Sequence, residues 1–244
     1  MKKAIIPMAI ALTLACSAFA QTTEEKPKVI TETMYLLPKR GMEDKFEAAV
    51  KAHNAKFHQD GPNKAGLRKV EYGEKANWYV WVHGPTGYAS LDTPPTKESG
   101  HAADWTATVE PLVETYGETQ LWELNQDLTF GYDLLQKAKY YELWTVKLKS
   151  GEYKRFKALC EKLKKTYESL GNQAFVIFDN PLHESKGADV GIIWSFNTFA
   201  QWGNDPGPKA AYEKLYGAGS WQAMVDEWNA VKVDYNSEIR SFVR

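Results

Sequence analysis

Apolar residues recur at helical spacing in two corresponding parts of the chain. Both sets occupy positions i, i+3, i+4, i+7 and i+11, which is the pattern of an amphipathic helix. The two sets are Phe46, Ala49, Val50, His53 and Phe57, and Phe156, Leu159, Cys160, Leu163 and Tyr167. The first helix should stop before the Gly61-Pro62 pair and the second near Gly171, because glycine and proline end helices.

Strand-like runs of apolar and β-branched residues flank each of these helices. The runs comprise residues 31–37, 66–72 and 77–83 in the first half, and 140–148, 173–178 and 189–196 in the second. A last strand is expected at 120–129 and another at 237–243.

A second helix is predicted in each half from matching apolar positions at i, i+4 and i+7. These positions are Trp105, Val109 and Leu112, and Trp221, Val225 and Trp228. Pro111 should kink the first copy or mark its late start, because proline is costly inside a helix. The preceding segments, 92–104 and 203–220, are expected to be loops with short helical pieces.

Each half therefore has the order β-α-β-β-α-β, which is ferredoxin-like. The predicted fold class is α+β, with two tandem ferredoxin-like units packed sheet to sheet as a pseudo-dimeric α+β barrel. The units span residues 29–130 and 139–244, joined by a linker at 131–138.

The first residues have the three parts of an export signal, so we expect a periplasmic or secreted protein. Lys2 and Lys3 precede an apolar run, and Ala18-Phe19-Ala20 resembles a cleavage site. A signal peptide at 1–20 would be cleaved after Ala20 and followed by a flexible lead-in at 21–28. A lipoprotein acylated at Cys16 and an N-terminal anchor helix are the alternatives.

Composition excludes several classes of protein. The chain has 244 residues, of which 43% are hydrophobic and 25% charged, and a formal net charge of -1. This is the profile of a globular protein without the basic field that nucleic acid requires. After cleavage Cys160 would be the single cysteine, so no internal disulfide can form, and no membrane span would remain. The oligomeric state stays open between monomer and homodimer.

One segment resembles a known group of proteins. The run YELWTVKLKSG at 141–151, followed by a helix with Phe156, resembles the opening of NIPSNAP-type domains of the dimeric α+β barrel superfamily. The first half is similar around Glu32 and residues 38–41. Trp144 replaces the arginine usual in that strand, so a role tied to that arginine cannot be transferred. The resemblance implies relatives among antibiotic-biosynthesis monooxygenases that need no cofactor, haem-degrading or haem-dependent enzymes, and proteins of unknown role.

Alternation along the strands suggests which residues line the space between the sheets. Tyr79, Trp81 and His83 share one face and Trp78, Val80 and Val82 the other. We expect the face with Tyr79, Trp81 and His83 to line this space, and Val190, Ile192 and Trp194 to correspond to it. A slip of one residue would invert the assignment.

Other candidate residues are carboxylates and histidines. Glu32 and Glu142 occupy matching strand positions. Each could serve as a general base or ligand anchor, or it could be an edge residue paired with a cation. His83 could ligate haem or act as a base, or simply lie at the barrel mouth. No metal site is predicted, because His53 and His58 are five residues apart and should point in different directions, and His101 and His183 are scattered.

Two further residues are expected to have structural roles. Asp104 fits a helix N-cap, and Cys160 a buried, inert thiol. Sequence signatures of P-loop, zinc-protease and serine-hydrolase sites are missing.

The main functional hypothesis is binding of a small apolar or aromatic ligand between the sheets, with no cofactor. The expected ligand-binding residues are Glu32, Tyr79, Trp81, His83, Glu142, Trp144 and Trp194. The alternatives are a cofactor-free or haem-using oxidoreductase, which rests on the resemblance, and a structural or interaction protein with a filled barrel. Whether the protein is an enzyme stays open.

Overall fold

The computed structural model describes residues 26–95, 99–182, 187–204 and 207–244. The expected signal peptide at 1–20 lies outside the described residues, as do 21–25 of the expected lead-in and His183. Among the residues described, no helix is long and apolar enough to cross a bilayer.

Eight antiparallel strands form one closed barrel in the order β1-β3-β2-β8-β5-β7-β6-β4, with β4 pairing back onto β1. The strands are β1 (Ile30–Pro38), β2 (Ala65–Tyr72), β3 (Tyr79–Thr86), β4 (Val113–Leu124), β5 (Tyr140–Leu148), β6 (Phe175–Asp179), β7 (Val190–Phe196) and β8 (Lys232–Val243). In each half, the neighbouring strands are the fourth, first, third and second along the chain, which gives β4-β1-β3-β2 and β8-β5-β7-β6. The predicted α+β barrel is thus confirmed as an architecture, while its origin from two tandem units stays a prediction.

The halves join edge to edge rather than as two stacked sheets. Strand β2 hydrogen-bonds to β8 over residues 67–72, and β4 pairs with β6 at Glu123 and Leu124. Closure leaves no free sheet edge, which removes a surface prone to aggregation.

Helices cover the outside of the barrel. They are α1 (Glu43–Phe57), α2 (His101–Thr108), α3 (Tyr132–Lys137), α4 (Tyr153–Leu170), α5 (Phe199–Gly203), α6 (Gly207–Tyr216) and α7 (Ser220–Val231). Gly171 ends α4 with a φ of 71°, a left-handed conformation that glycine adopts without strain.

Several predicted boundaries differ from the structure. Helix α2 ends at Thr108, and Pro111 lies in a separate 3-10 turn at Glu110–Leu112, so it neither kinks the helix nor starts it. Strand β4 then begins at Val113, earlier than residue 120, and β8 begins at Lys232. Their early parts are mostly polar and exposed, so they lack the apolar alternation that marks a half-buried strand. The linker contains α3, and much of 203–220 is α6.

Buried side chains form two layers. The outer layer lies between sheet and helices and includes Phe46, Val50 and Tyr79 in the first half. The inner layer fills the barrel lumen, with Tyr141 and Leu143 among its members.

The prediction of which strand face points into the barrel is wrong. Tyr79 and Trp81 pack under the helices, whereas Val80 and Val82 belong to the lumen layer. Ile192 likewise packs under the helices, and its neighbours Gly191 and Ile193 line the lumen. A physical reason is size, because an eight-stranded barrel leaves an interior just wide enough for side chains to fill. On β3 and β7 the smaller residues therefore face inward, although other strands contribute aromatic rings such as Trp122 and Phe178 to the lumen.

Candidate metal centre

Three histidines meet in the helix–sheet layer of the first half. One ligand nitrogen from each of His53, His58 and His101 lies within 4.8 Å of the others. His53 lies near the end of α1, His58 immediately follows that helix, and His101 is the first residue of α2. The packing of α2 against α1 therefore assembles the cluster.

The prediction that His53 and His58 point in different directions is wrong, because the helix that contains His53 stops one residue before His58. Helix α1 ends at Phe57, and His58 has φ -134° and ψ 26°. This backbone turn returns the His58 ring to the side of His53, and the two ring centroids are 5.4 Å apart.

Hydrogen bonds to the outer ring nitrogens orient two of the imidazoles. The carboxylate Oδ2 of Asp104 accepts from Nδ1 of His53 at 2.8 Å. The backbone carbonyl of Asn63 accepts from Nδ1 of His58 at 2.6 Å. Since both acceptors require a proton on Nδ1, the Nε2 atoms of His53 and His58 keep their lone pairs free. This is the arrangement of histidine ligands oriented by an outer shell.

The inner nitrogens face one another in a dry environment. Nε2 of His58 lies 2.8 Å from Nε2 of His101. His53 is 1% exposed, and its Nε2 is buried without a hydrogen-bond partner. A buried polar atom without a partner is costly, and a bound cation would satisfy this one. Metal–nitrogen bonds of about 2.0–2.1 Å place two ligands of a tetrahedral site roughly 3.3 Å apart. This lies between the 2.8 Å of the His58–His101 pair and the 4.8 Å within which all three ligand atoms lie.

Burial favours the neutral form of His58 and His101 by lowering the pKa of each imidazole. It lowers the pKa of His58 to about 4, and the neighbouring His101 and His53 lower it further, although the Asn63 carbonyl opposes the shift. Burial and His53 also lower the pKa of His101. The pKa of the Asp104 carboxyl is lowered by Lys56 and His53, so it is ionised. Neutral imidazoles beside an ionised carboxylate are the protonation states that metal binding requires.

Aromatic rings surround the cluster and a cavity adjoins it. The ring of Phe57 lies 5.0 Å from His53, Trp81 5.1 Å from His58, and Trp105 5.1 Å from His53. The cavity has a volume of 280 Å³ and is lined by Met34, Trp81 and Trp105 together with His101 itself. One presumed ligand therefore faces a space that is mainly apolar.

Two of the predicted residues of the first half, Trp81 and His83, lie beside His58 of this cluster. Trp81 Nε1 donates to Asn54 at 3.0 Å, and Tyr79 donates to Glu47 at 2.5 Å. His83 Nε2 donates to the Pro62 carbonyl at 3.1 Å, and its Nδ1 lies 3.5 Å from Glu32. Glu32 thus faces a histidine.

The predicted residues of the second half form a separate group. Glu142 accepts from the indole nitrogens of Trp144, at 2.6 Å, and Trp202, at 2.8 Å. Trp194 packs against Trp144 with ring centroids 5.0 Å apart. These residues line a cavity of 370 Å³ in the helix–sheet layer.

This second cavity does not fit haem. The described residues that line it include no histidine. Cys160 borders it, but burial raises the pKa of the thiol, so the thiolate that would ligate iron is disfavoured. The three histidines of the first half converge on one point, which suits a single ion rather than a macrocycle.

Sequence reasoning did not predict that His58, His101 and Asp104 lie next to His53 in one cluster. Asp104 is not an N-cap, since α2 begins at His101 after Gly100, and its carboxylate instead contacts His53 and Lys56. The sequence does concentrate three histidines and one aspartate in two short segments, 53–58 and 101–104. It does not show that the two segments meet, because that contact depends on how the helices pack.

Comparison with known proteins identifies the fold. No model of a protein family matches the chain, and no curated protein matches it in sequence. A structure from Fusobacterium nucleatum, provisionally named a monooxygenase, is 10% identical with a TM-score of 0.57, over 90% of this chain and 94% of that one. An anthrone oxidase-like protein is 13% identical with a TM-score of 0.53, over 90% and 93%. The chlorite dismutase from Candidatus Nitrospira defluvii in complex with imidazole is 10% identical with a TM-score of 0.53, over 88% and 92%.

At these identities the similarity concerns the fold alone. The predicted α+β barrel fold is confirmed, whereas membership of the dimeric α+β barrel superfamily stays a prediction. Membership of the NIPSNAP-type branch stays a prediction.

Proposed function

We propose that this protein is a metal-dependent oxidoreductase whose metal ion is bound by His53, His58 and His101. The observation that carries the proposal is the buried, unpartnered Nε2 of His53, in a cluster where one ligand nitrogen of each histidine lies within 4.8 Å of the others. Nothing else among the described residues satisfies this atom.

The donor set favours a reactive site over a structural one. Structural zinc sites use four protein ligands, whereas three protein ligands leave a position for water or substrate. Since His101 also lines the aromatic cavity, a molecule held between Met34 and Trp105 would lie beside one of the proposed ligands. An apolar or aromatic molecule is the substrate class that suits such walls.

Two arguments favour redox chemistry over hydrolysis. Three imidazoles suit copper and iron as well as zinc. The similar folds described above include proteins named as a monooxygenase, an anthrone oxidase-like protein and a chlorite dismutase. When bound, copper or iron would mediate transfer of two electrons from an aromatic substrate to dioxygen, with hydrogen peroxide as the other product.

The residues around the ion would hold and isolate it. Asp104 and the Asn63 carbonyl fix the imidazole orientations through Nδ1. Phe57, Trp81 and Trp105 exclude water, which strengthens electrostatic interactions inside the site.

The test is metal titration followed by an oxidation assay. The chelator-treated full chain would be titrated with Cu²⁺, Fe²⁺ and Co²⁺ by calorimetry and by visible spectroscopy. Each metal form would then be supplied with hydroquinone and air while quinone and peroxide are measured. We expect one ion per chain and peroxide equal to quinone. His53→Gln should lose binding at least tenfold.

His83→Gln is the matched control, because His83 is buried nearby but bonds to a backbone carbonyl. It should retain the metal. Absence of stoichiometric binding in the wild-type protein would overturn the metal centre. Binding without turnover of hydroquinone, or of other phenols, by the copper and iron forms would overturn the redox function and leave a metal-binding protein.

We also propose export, on the basis of the sequence pattern at 1–20. Mass spectrometry of the protein from its native cells should show a chain that starts at Gln21. An intact N-terminus in the soluble cell interior would contradict export.

A further inference from the structure

The barrel lumen contains a cavity that is separate from the helix–sheet layer. Its volume is 260 Å³, and its walls include Trp122, Leu143 and Phe178. Lys64, Pro85 and Gln136 also border it. The described residues that line this cavity include three cations, Lys64, Arg68 and Arg240, and no carboxylate.

The positive charge of Arg240 is balanced by a carboxylate inside the protein. Its guanidinium donates to the carboxylate of Glu238 and to the hydroxyl of Tyr35, which in turn donates to Glu238 at 2.7 Å. Burial opposes the charge of Arg240, yet Tyr35 and Glu238 outweigh it and raise the pKa. This triad forms the floor of the cavity, because Arg240 lines it while Glu238 and Tyr35 line the opposite end of the lumen.

Arg68 has no such counter-ion. Its Nη1 donates to the Leu67 carbonyl at 3.0 Å, and its guanidinium lies 4.2 Å from the Phe242 ring. None of the ion pairs among the described residues includes Arg68, and the groups that act on its charge are the Tyr141 and Tyr132 hydroxyls and Arg240. Burial accordingly lowers the Arg68 pKa. The Arg68 side chain is half-buried, and a partly buried cation without an anion beside it is unfavourable.

The local chain makes room for this guanidinium. A Cβ at Gly66 would lie 2.8 Å from Nη1 of Arg68, so the absence of a side chain there lets the guanidinium fold back over strand β2. Tyr141, Thr31 and Thr33 add hydroxyl groups to the lining of the cavity.

We propose that the lumen binds a small apolar carboxylate whose carboxyl group pairs with Arg68. The planar guanidinium matches a carboxylate through two parallel hydrogen bonds. The remaining walls are largely aromatic and aliphatic, so they suit the hydrocarbon part of an aryl acid. This site is distinct from the proposed metal centre, which lies on the other face of the sheet.

The test compares two ligands of the same shape and different charge. 2-Naphthoate and 2-naphthamide would each be titrated by calorimetry into the full wild-type chain. We expect saturable binding of one naphthoate, at least tenfold tighter than the amide. Equal affinities, or no binding of naphthoate, would overturn the proposal without recourse to any variant.

Variants then locate the site. Arg68→Met should remove the preference for the anion, and a retained preference would overturn the role of Arg68. Gly191→Val should weaken both ligands at least tenfold, because a Cβ there meets Leu143 at 3.5 Å and Trp122 at 3.7 Å and the valine methyl groups would occupy the lumen. Unchanged binding in a folded Gly191→Val protein would place naphthoate elsewhere and overturn the lumen site. His101→Gln should leave naphthoate binding unchanged, which separates this result from that of the metal centre.

Discussion

Nε2 of His58 lies 2.8 Å from Nε2 of His101, although 43 residues of chain separate the two. His58 uses its Nδ1 proton on the Asn63 carbonyl, so in the metal-free protein His101 must donate across this contact. A metal ion would replace that shared proton with two coordinate bonds. The contact joins the end of α1 to the start of α2 and makes the site dependent on the packing of both helices.

The carboxylate behind His53 should tune metal affinity. In Asp104→Asn the hydrogen bond to Nδ1 of His53 becomes neutral, so the imidazole is a weaker donor. We expect metal affinity to fall by about 10- to 100-fold, the usual effect of losing such an outer partner, as measured by competition with a chelator. Lys56→Met is the control, since Lys56 contacts the same carboxylate from the solvent side. An equal loss in both variants would contradict the specific role of the His53 contact.

The stability of the metal-free protein should fall in mild acid. The pKa of His58 is about 4 in the folded chain and 6.5 ordinarily, chiefly because the imidazole is buried. Between these values the unfolded chain binds more protons, so the free energy of unfolding decreases as the pH falls from 6.5 towards 4 and then levels off. The expected loss is on the order of 2 kcal/mol. Urea unfolding at a series of pH values measures it, and His58→Gln should reduce the slope; an unchanged slope would count against this assignment.

The triad in the barrel floor should be important for stability. Glu238→Gln leaves the buried Arg240 cation without its counter-ion, at a cost of about 3 kcal/mol in the free energy of unfolding. Tyr35→Phe removes two hydrogen bonds, the one donated to Glu238 and the one accepted from Arg240, and should cost about 2 kcal/mol. Glu152→Gln is the comparison, because its pair with Arg155 is at the surface and should contribute at most about 1 kcal/mol. Denaturant titration gives all three values, and a mild effect of Glu238→Gln would show that Arg240 is otherwise compensated.

Cys160 should be chemically inert in the folded protein. The side chain is fully enclosed, and burial raises the pKa of the thiol. Less than one tenth of the thiol should therefore react with a disulfide reagent at pH 8 within an hour, and nearly all of it after unfolding in guanidinium. Rapid reaction of the native protein would show that the helix–sheet layer opens readily.

Local patterns were sufficient for many of the elements. Strand β5 spans Tyr140–Leu148, as its alternation predicted, and α4 ends before Gly171, where a left-handed residue is required. The early half of β4 was missed, because its exposed polar residues are held in place by pairing with β1. Hydrogen bonds to a distant strand leave no periodic signal in the sequence.

The sequence by itself determined the order of strands and helices, the amphipathic stripes of α1 and α4 and the burial of Cys160, because these depend on neighbours along the chain. Tertiary structure decided which strand face points into the lumen, since alternation is identical in both directions and only the width of the closed barrel distinguishes Val80 from Tyr79. It also decided the candidate sites. His58 turns towards His53 only because α1 ends there, His101 is brought to them by α2, and Arg68 lies without a counter-ion inside the closed barrel.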